Sequence, residues 1–209
     1  MLKTNTKMVK YFFETSQKNI VIDDNRKELL LKIANKIAVN YNNNDININF
    51  ICTHNSRRSQ LGQVWSFFAA DYFKIPINAF SGGTEVTAFH RNTVKTLTEV
   101  GFKFDVDEFS HTNPIYRISF SDDKPSLLGF SKLYNNIENK TPYFVLTTCN
   151  NADENCPFIP EAIDRFHVPY TDPKHSDDSA IQDETYLKTS RIIAAQMYYL
   201  LMKLKSCYN

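Results

Sequence analysis

The clearest hydrophobic rhythm in the chain spans residues 46–73. Ile46, Ile48 and Phe50 alternate with Asn47 and Asn49 and run into Ile51, the two-residue period of a strand that ends at Cys52. Behind Ser59, the positions Leu61, Val64, Trp65, Phe68, Ala69 and Tyr72 recur at helical spacing, so an amphipathic helix over 60–73 starts directly after a tight loop. A second unit repeats the order: a short strand around 79–81, a Gly82-Gly83 turn, and a helix from about Thr87 that stops before Gly101, a residue suited to a left-handed C-cap. Residues 143–148 read as a buried strand closing on Cys149, and 165–168 as the last strand. A long helix over 180–204 carries Ile181, Tyr186, Leu187, Ile192, Ile193, Met197, Leu200, Leu201 and Leu204 on its periodic positions. This alternation predicts an α/β fold with a small parallel sheet of four strands and helices on both faces.

Two stretches lie outside the rhythm. Residues 1–44 read as an N-terminal helical extension, with Leu29, Leu30, Ile33 and Ile37 behind the capping candidates Asp23 and Asp24 and a polar Asn42-Asn43-Asn44-Asp45 linker at its end. Residues 45–209 form the main domain, interrupted by an insertion at about 103–140. Within the insertion, 115–120 suit a strand, 121–125 a turn and 132–138 a short helix, while 147–160 is polar and helix-poor. Tyr11-Phe12-Phe13 and the aromatics Trp65, Phe67, Phe68 and Tyr72 suit a packing face better than a ligand platform.

Composition narrows the function classes. With 209 residues, the chain has room for one domain with additions, and 42% hydrophobic and 13% aromatic residues supply its core. A net charge of +1 gives no support to nucleic acid or an anionic membrane as partner. The first ten residues lack the apolar stretch of about 7 to 15 residues of a secretory signal. The most apolar late segment, 192–202, is about half the roughly 20 residues of a membrane span. The expectation is a soluble cytoplasmic protein. Four cysteines are too few for a disulfide scaffold in a chain of this length, so Cys52, Cys149, Cys156 and Cys207 call for reactivity or burial as their explanation.

The strand-to-helix junction reads Cys52-Thr53-His54-Asn55-Ser56-Arg57-Arg58-Ser59. A loop wrapped at a helix N-terminus aims unpaired backbone N–H groups and the positive end of the helix dipole at one point, which fits a tetrahedral oxyanion. The same field favours the thiolate of a cysteine at the start of the loop, with the Ser59 hydroxyl placed to donate to it. Arg58 supplies a planar fork for two oxygens. On spacing alone, a strand-end cysteine beside two surface arginines is the competing reading. Asp172-Pro173 is a turn initiator by default. Cys149 and Cys156 lack the short spacing and accompanying histidines of a zinc site, so no metal is expected. Apart from His54, the histidines read as structural or surface residues.

The loop resembles that of the low-molecular-weight protein tyrosine phosphatase superfamily, and the Cys149 region resembles its thioredoxin-coupled arsenate reductase branch. The resemblance rests on 51–65, on Ser81-Gly82-Gly83-Thr84-Glu85, on Val145-Leu146-Thr147-Thr148-Cys149 with Asn151-Ala152-Asp153-Glu154-Asn155-Cys156-Pro157, and on Tyr170-Thr171-Asp172-Pro173. It implies that Cys52 attacks arsenate held by Arg58 and the loop residues Thr53, His54, Asn55, Ser56, Arg57 and Ser59, with Asp172 as general acid. Cys149 then attacks Cys52, arsenite leaves, and Cys156 closes a Cys149–Cys156 disulfide that thioredoxin reduces. No cofactor is implied. His54 stands where the family usually has glycine, and Arg57 where the reductases often have cysteine. A potassium site of some relatives would need a glutamate where this chain has Gln63. Two alternatives stay open: a phosphatase that hydrolyses the Cys52 adduct and keeps the other thiols for redox protection, and a non-catalytic oxyanion-binding protein.

Overall fold

The computed structural model describes residues 6–40, 45–155 and 158–208. Its elements begin with α1 (Thr6–Asn19), α2 (Asp24–Asn40), β1 (Ile46–Cys52), α3 (Arg58–Phe73), β2 (Ile77–Gly83), α4 (Arg91–Glu99) and β3 (Lys103–Glu108). They continue with β4 (Ile115–Ser119), β5 (Leu127–Gly129), β6 (Tyr143–Thr147), α5 (Asn150–Asn155), β7 (Ala162–His167), a 3-10 turn (Pro173–Ser176) and α6 (Gln182–Ser206).

Four parallel strands form the main sheet in the order β2-β1-β6-β7. The chain winds outward from β1 in both directions, so the carboxyl ends of β1 and β6 flank the topological switch point, where open α/β sheets leave a crevice. Alternation along each strand divides the core. Ile46, Ile48 and Phe50 of β1 and Phe144 and Leu146 of β6 join a large cluster with residues of α1, α2, α3 and α6. Ile51, Tyr143 and Val145 point the other way, into a smaller cluster that holds both Cys52 and Cys149.

Trp65 is the pivot of the larger cluster. It is fully buried, Phe12 and Phe13 of α1 stack on it with ring centroids at 5.3 and 5.9 Å, and its Nε1–H donates to Ser190 Oγ of α6 at 2.9 Å. The aromatic pair of α1 thus meets the helix that follows the Cys52 loop. The linker expected at 42–44 lies outside the described residues.

Several local expectations need correction. Residues 132–138 are not helical, because their backbone groups are already engaged: Lys132 O accepts from Gly83 N (2.8 Å), Tyr134 N donates to Gly83 O (3.0 Å) and Lys132 N donates to Asn55 Oδ1 (2.9 Å). Residues 103–129, within the stretch read as an insertion, build a second, antiparallel sheet, β3-β4-β5. Helix α4 starts later than expected since 85–90 is held extended by Glu85 N to Thr53 O (2.8 Å), Thr87 N to Ser131 Oγ (2.9 Å) and His90 N to Ser56 O (3.0 Å). Within the stretch read as helix-poor, α5 forms directly after Cys149. Gly101, at φ 111°, takes the left-handed position expected of it.

Lys132 is 3% exposed. Its ammonium lies 4.6 Å from the centroid of the Phe130 ring. Burial lowers its pKa to about 8, against a small opposing effect of Glu138. Below that value both folded and unfolded chains carry the charge, and the folded chain bears the full desolvation cost. Between about pH 8 and 10.5 only the unfolded chain holds the proton, so this group makes stability rise with pH. Lys132→Met is therefore expected to be more stable than the wild type in denaturant titrations at pH 7, by a margin that shrinks as pH rises through that window. Phe13→Ala should cost about 3 to 5 kcal/mol of unfolding free energy, read the same way.

Candidate active site

Residues 53–57 leave the carboxyl end of β1 and turn straight into α3, whose N-cap is Arg57. Asn55 makes the turn with φ 47°, a left-handed conformation that asparagine tolerates better than most residues. Its buried side chain ties the loop together: Nδ2 donates to Ser59 Oγ at 2.9 Å and Oδ1 accepts from Lys132 N at 2.9 Å. Ser59 Oγ also lies 3.1 Å from Cys52 Sγ, within reach to donate its proton to a thiolate there. Gly83 lets the loop lie against β2, because a Cβ there would sit 2.6 Å from Thr53 O and 2.8 Å from Asn55 N.

Cys52, His54, Ser56, Arg57, Arg58 and Asp172 line one small cleft over this loop. Cys52 is 4% exposed. Arg58 donates from Nη1 to Tyr170 O (3.0 Å) and from Nη2 to Asp172 Oδ2 (2.6 Å). Asp172 also caps the 3-10 turn, its Oδ1 accepting from Lys174 N at 3.1 Å. Asp172 is thus both the cap of a turn and a member of the cleft. Ser56 Oγ donates to Ala88 O (2.7 Å), away from the anion position. His54 stands at the exposed rim with Nε2 3.2 Å from Glu85 Oε2.

Arg57 is held differently from Arg58. Nε donates to Tyr186 Oη at 2.6 Å and Nη2 to Asp177 Oδ2 at 2.7 Å. Tyr186 in turn donates to Asp177 Oδ1 at 2.6 Å, and Asn92 Nδ2 adds a bond to the same oxygen at 3.2 Å. Burial raises the Asp177 carboxyl, but the Tyr186 hydroxyl and the Arg57 charge outweigh it, and the net shift is below the usual carboxylate range. Burial, helped by the neighbouring Asp177, pushes Tyr186 up to about 12. His90, whose ring stacks on Tyr186, is lowered by burial and then by the charge of Arg57. Asp177, Tyr186 and His90 escaped sequence reasoning. Tyr186 sits on the apolar periodicity of α6, and nothing in that pattern marks its hydroxyl.

Cys149 follows β6, the immediate neighbour of β1. It is 4% exposed, accepts from Ala152 N of α5 at 3.4 Å and lies 3.5 Å from Thr53 Oγ1. Asp153 holds α5 to the sheet through Thr147 Oγ1 (2.8 Å) and Arg165 Nη2 (3.0 Å). Cys156 lies outside the described residues. Cys207 is exposed at the end of α6. Gln63 Oε1 accepts from Ser81 Oγ at 2.6 Å and its Nε2 donates to Ala79 O at 3.1 Å. Among the described residues, no three His, Cys, Asp or Glu side chains form a metal-binding group, and no helix is long and apolar enough to cross a membrane.

No family model matches the chain. Sequence relatives do. "Arsenate reductase 2" of Staphylococcus saprophyticus is 31% identical over 135 residues, 65% of this chain and 84% of that protein. An arsenate reductase of Bacillus cereus is 30% identical over 135 residues, 65% of this chain and 82% of that protein. Among solved structures, the low-molecular-weight protein tyrosine phosphatase of T. tengcongensis superposes with a TM-score of 0.50 at 16% identity, covering 76% of this chain and 99% of that one. A YwlE mutant of Bacillus subtilis does so with 0.50 at 16%, covering 77% and 99%. These two likenesses are of fold, and the sequence identity decides the branch: the chain belongs to the arsenate reductase family, built on the low-molecular-weight protein tyrosine phosphatase fold.

Proposed function

We propose that the protein reduces arsenate to arsenite by a relay of three thiols, with thioredoxin as the final reductant. The observation that carries this reading is the meeting of Cys52, Arg58 and Asp172 in one cleft, with Cys149 at the end of the adjacent strand. Arsenate enters over the first turn of α3, and its oxygens take the Arg58 fork from Asp172. Cys52 Sγ attacks arsenic. Asp172, released from Arg58, takes up the proton that the Cys52 thiol gives up on becoming the nucleophile and passes it to the departing hydroxyl, which leaves as water. Ser59, donating to Cys52 Sγ, supports the nucleophile as an anion.

Cys149 then attacks the sulfur of Cys52. The S–As electron pair passes to arsenic, which departs as arsenite, and a Cys52–Cys149 disulfide remains. Cys156 attacks Cys149, frees Cys52 and leaves a Cys149–Cys156 disulfide, which thioredoxin reduces to two thiols. Such a relay belongs in a reducing cytoplasm.

Cys149→Ser decides between reduction and phosphoester hydrolysis. It should abolish multiple-turnover arsenate reduction in a thioredoxin-coupled assay while leaving aryl phosphate hydrolysis, where present, within about twofold. Retained arsenate turnover in this variant would sink the relay. Asp172→Asn keeps a side chain beside Arg58 but has no acidic proton to give, and should lower kcat by about 10²-fold. A Cys149–Cys156 disulfide, identified by peptide mass mapping after one equivalent of arsenate, is the expected product in the absence of thioredoxin.

A further inference from the structure

The two arginines of the cleft differ in commitment. Arg58 is paired with Asp172, a residue of the cleft itself, so that pair opens when an anion arrives. Arg57 is paired with Asp177, which does not line the cleft. Its guanidinium is fixed along one edge by Tyr186 and Asp177, and both partners are locked to each other by the Tyr186–Asp177 bond. The Arg57 side chain is 11% exposed, against 79% for the surface Arg91. Only two of its five N–H groups meet an acceptor among the described residues. A desolvated cation with unused donors, lining an anion cleft, is held ready for a charged ligand and little screened by salt.

We propose that Arg57 is a second arginine for the substrate, contacting the bound oxyanion and setting a preference for doubly charged tetrahedral anions, with Asp177 and Tyr186 as its positioning residues. The inference rests on the reading of this cleft as an oxyanion site. The fork of Arg58 covers two oxygens of a tetrahedral guest. Arg57 approaches from the α6 side, where Tyr186 and Asp177 anchor it, and brings a second full charge that the loop amides cannot supply. Lysine could not replace it, because an ammonium cannot be held at two points of an edge while presenting further donors.

Sulfate and perchlorate test the charge preference directly, since they share a shape, differ by one charge and do not titrate near neutral pH. Calorimetric titration of the reduced full-length protein at fixed ionic strength is expected to give tighter binding of sulfate than of perchlorate. Arg57→Gln should raise the sulfate and phosphate Kd by about tenfold or more and the perchlorate Kd by distinctly less. Arg57→Lys should not restore the difference. Tyr186→Phe, which deletes one oxygen, should raise the phosphate Kd by about threefold and the arsenate KM in parallel, with a smaller change in kcat. Should Arg57→Gln fail to fold by its melting curve, Tyr186→Phe decides: an unchanged phosphate Kd overturns the proposal. Equal losses of sulfate and perchlorate in a folded Arg57→Gln also overturn it. Arsenate reduction by a wild type whose phosphate affinity does not depend on Arg57 sinks the second arginine and leaves the reductase reading standing. Loss of phosphate on Arg57→Gln in a protein that reduces no arsenate does the reverse.

Discussion

One buried amide organises the active centre. Asn55 accepts a left-handed backbone so that the loop can turn from β1 into α3, and its side chain then uses both ends: the nitrogen for Ser59, the oxygen for Lys132 N. The bond from Asn55 leaves the proton of Ser59 free to be offered to Cys52 Sγ, 3.1 Å away, when that sulfur is a thiolate. The order of the loop residues thus becomes a polarity, running from amide to hydroxyl to sulfur. Leaving any of these buried groups without its partner would cost about 1 to 3 kcal/mol, which favours this conformation of the loop over others.

That dependence reaches beyond the loop. Phe130 O, Ser131 Oγ and Lys132 N, from the end of the insertion, bond to Gln60, to His54 O and to Asn55. The strip braces the loop, so the sheet β3-β4-β5 that precedes it is tied directly to the Cys52–Ser59 turn. From the other end, Arg26 of α2 donates to Pro169 O at 2.7 Å, next to the Tyr170 whose carbonyl receives Arg58. Segments that the sequence places outside the recurrent strand-and-helix pattern supply the clamps on the Cys52 loop and on the Tyr170–Asp172 segment.

What was legible in the sequence was what local periodicity encodes. β1 and α3 are patterned by their own residues, and the Cys52–Ser59 loop is bounded by them, so its place at the carboxyl end of a parallel strand could be read without knowing its neighbours. Residues 132–138 could not be, because their fate is set by the edge of β2 and by Asn55, both far away in the chain. β3 was hidden for a different reason: Val106 is 57% exposed, so its alternation does not report a buried face. Tyr186 illustrates the limit on the chemical side. A residue can satisfy the apolar stripe of a helix with its ring while its hydroxyl completes a polar network, and periodicity records only the ring.

The proposed relay makes a further demand that the sheet order satisfies. Two sulfurs that must bond to each other have to come from chain ends that meet, and the neighbouring strands β1 and β6 lie only about 4.8 Å apart along their hydrogen bonds. Cys52 ends one strand, Cys149 follows the other, and both belong to the same small apolar cluster, with Thr53 Oγ1 at the Cys149 sulfur. The first exchange therefore asks for little movement. The second asks for more, because Cys149 also receives the Ala152 amide at the head of α5, and Asp153 pins that short helix to Thr147 and Arg165. A disulfide between Cys149 and Cys156 draws together residues seven apart, whereas two full turns of helix would hold such residues roughly 10 Å apart. The length of α5 makes such a separation cheap to lose: a helix of six residues, three of them asparagine, is held by a few side-chain bonds to the sheet and costs little to unwind.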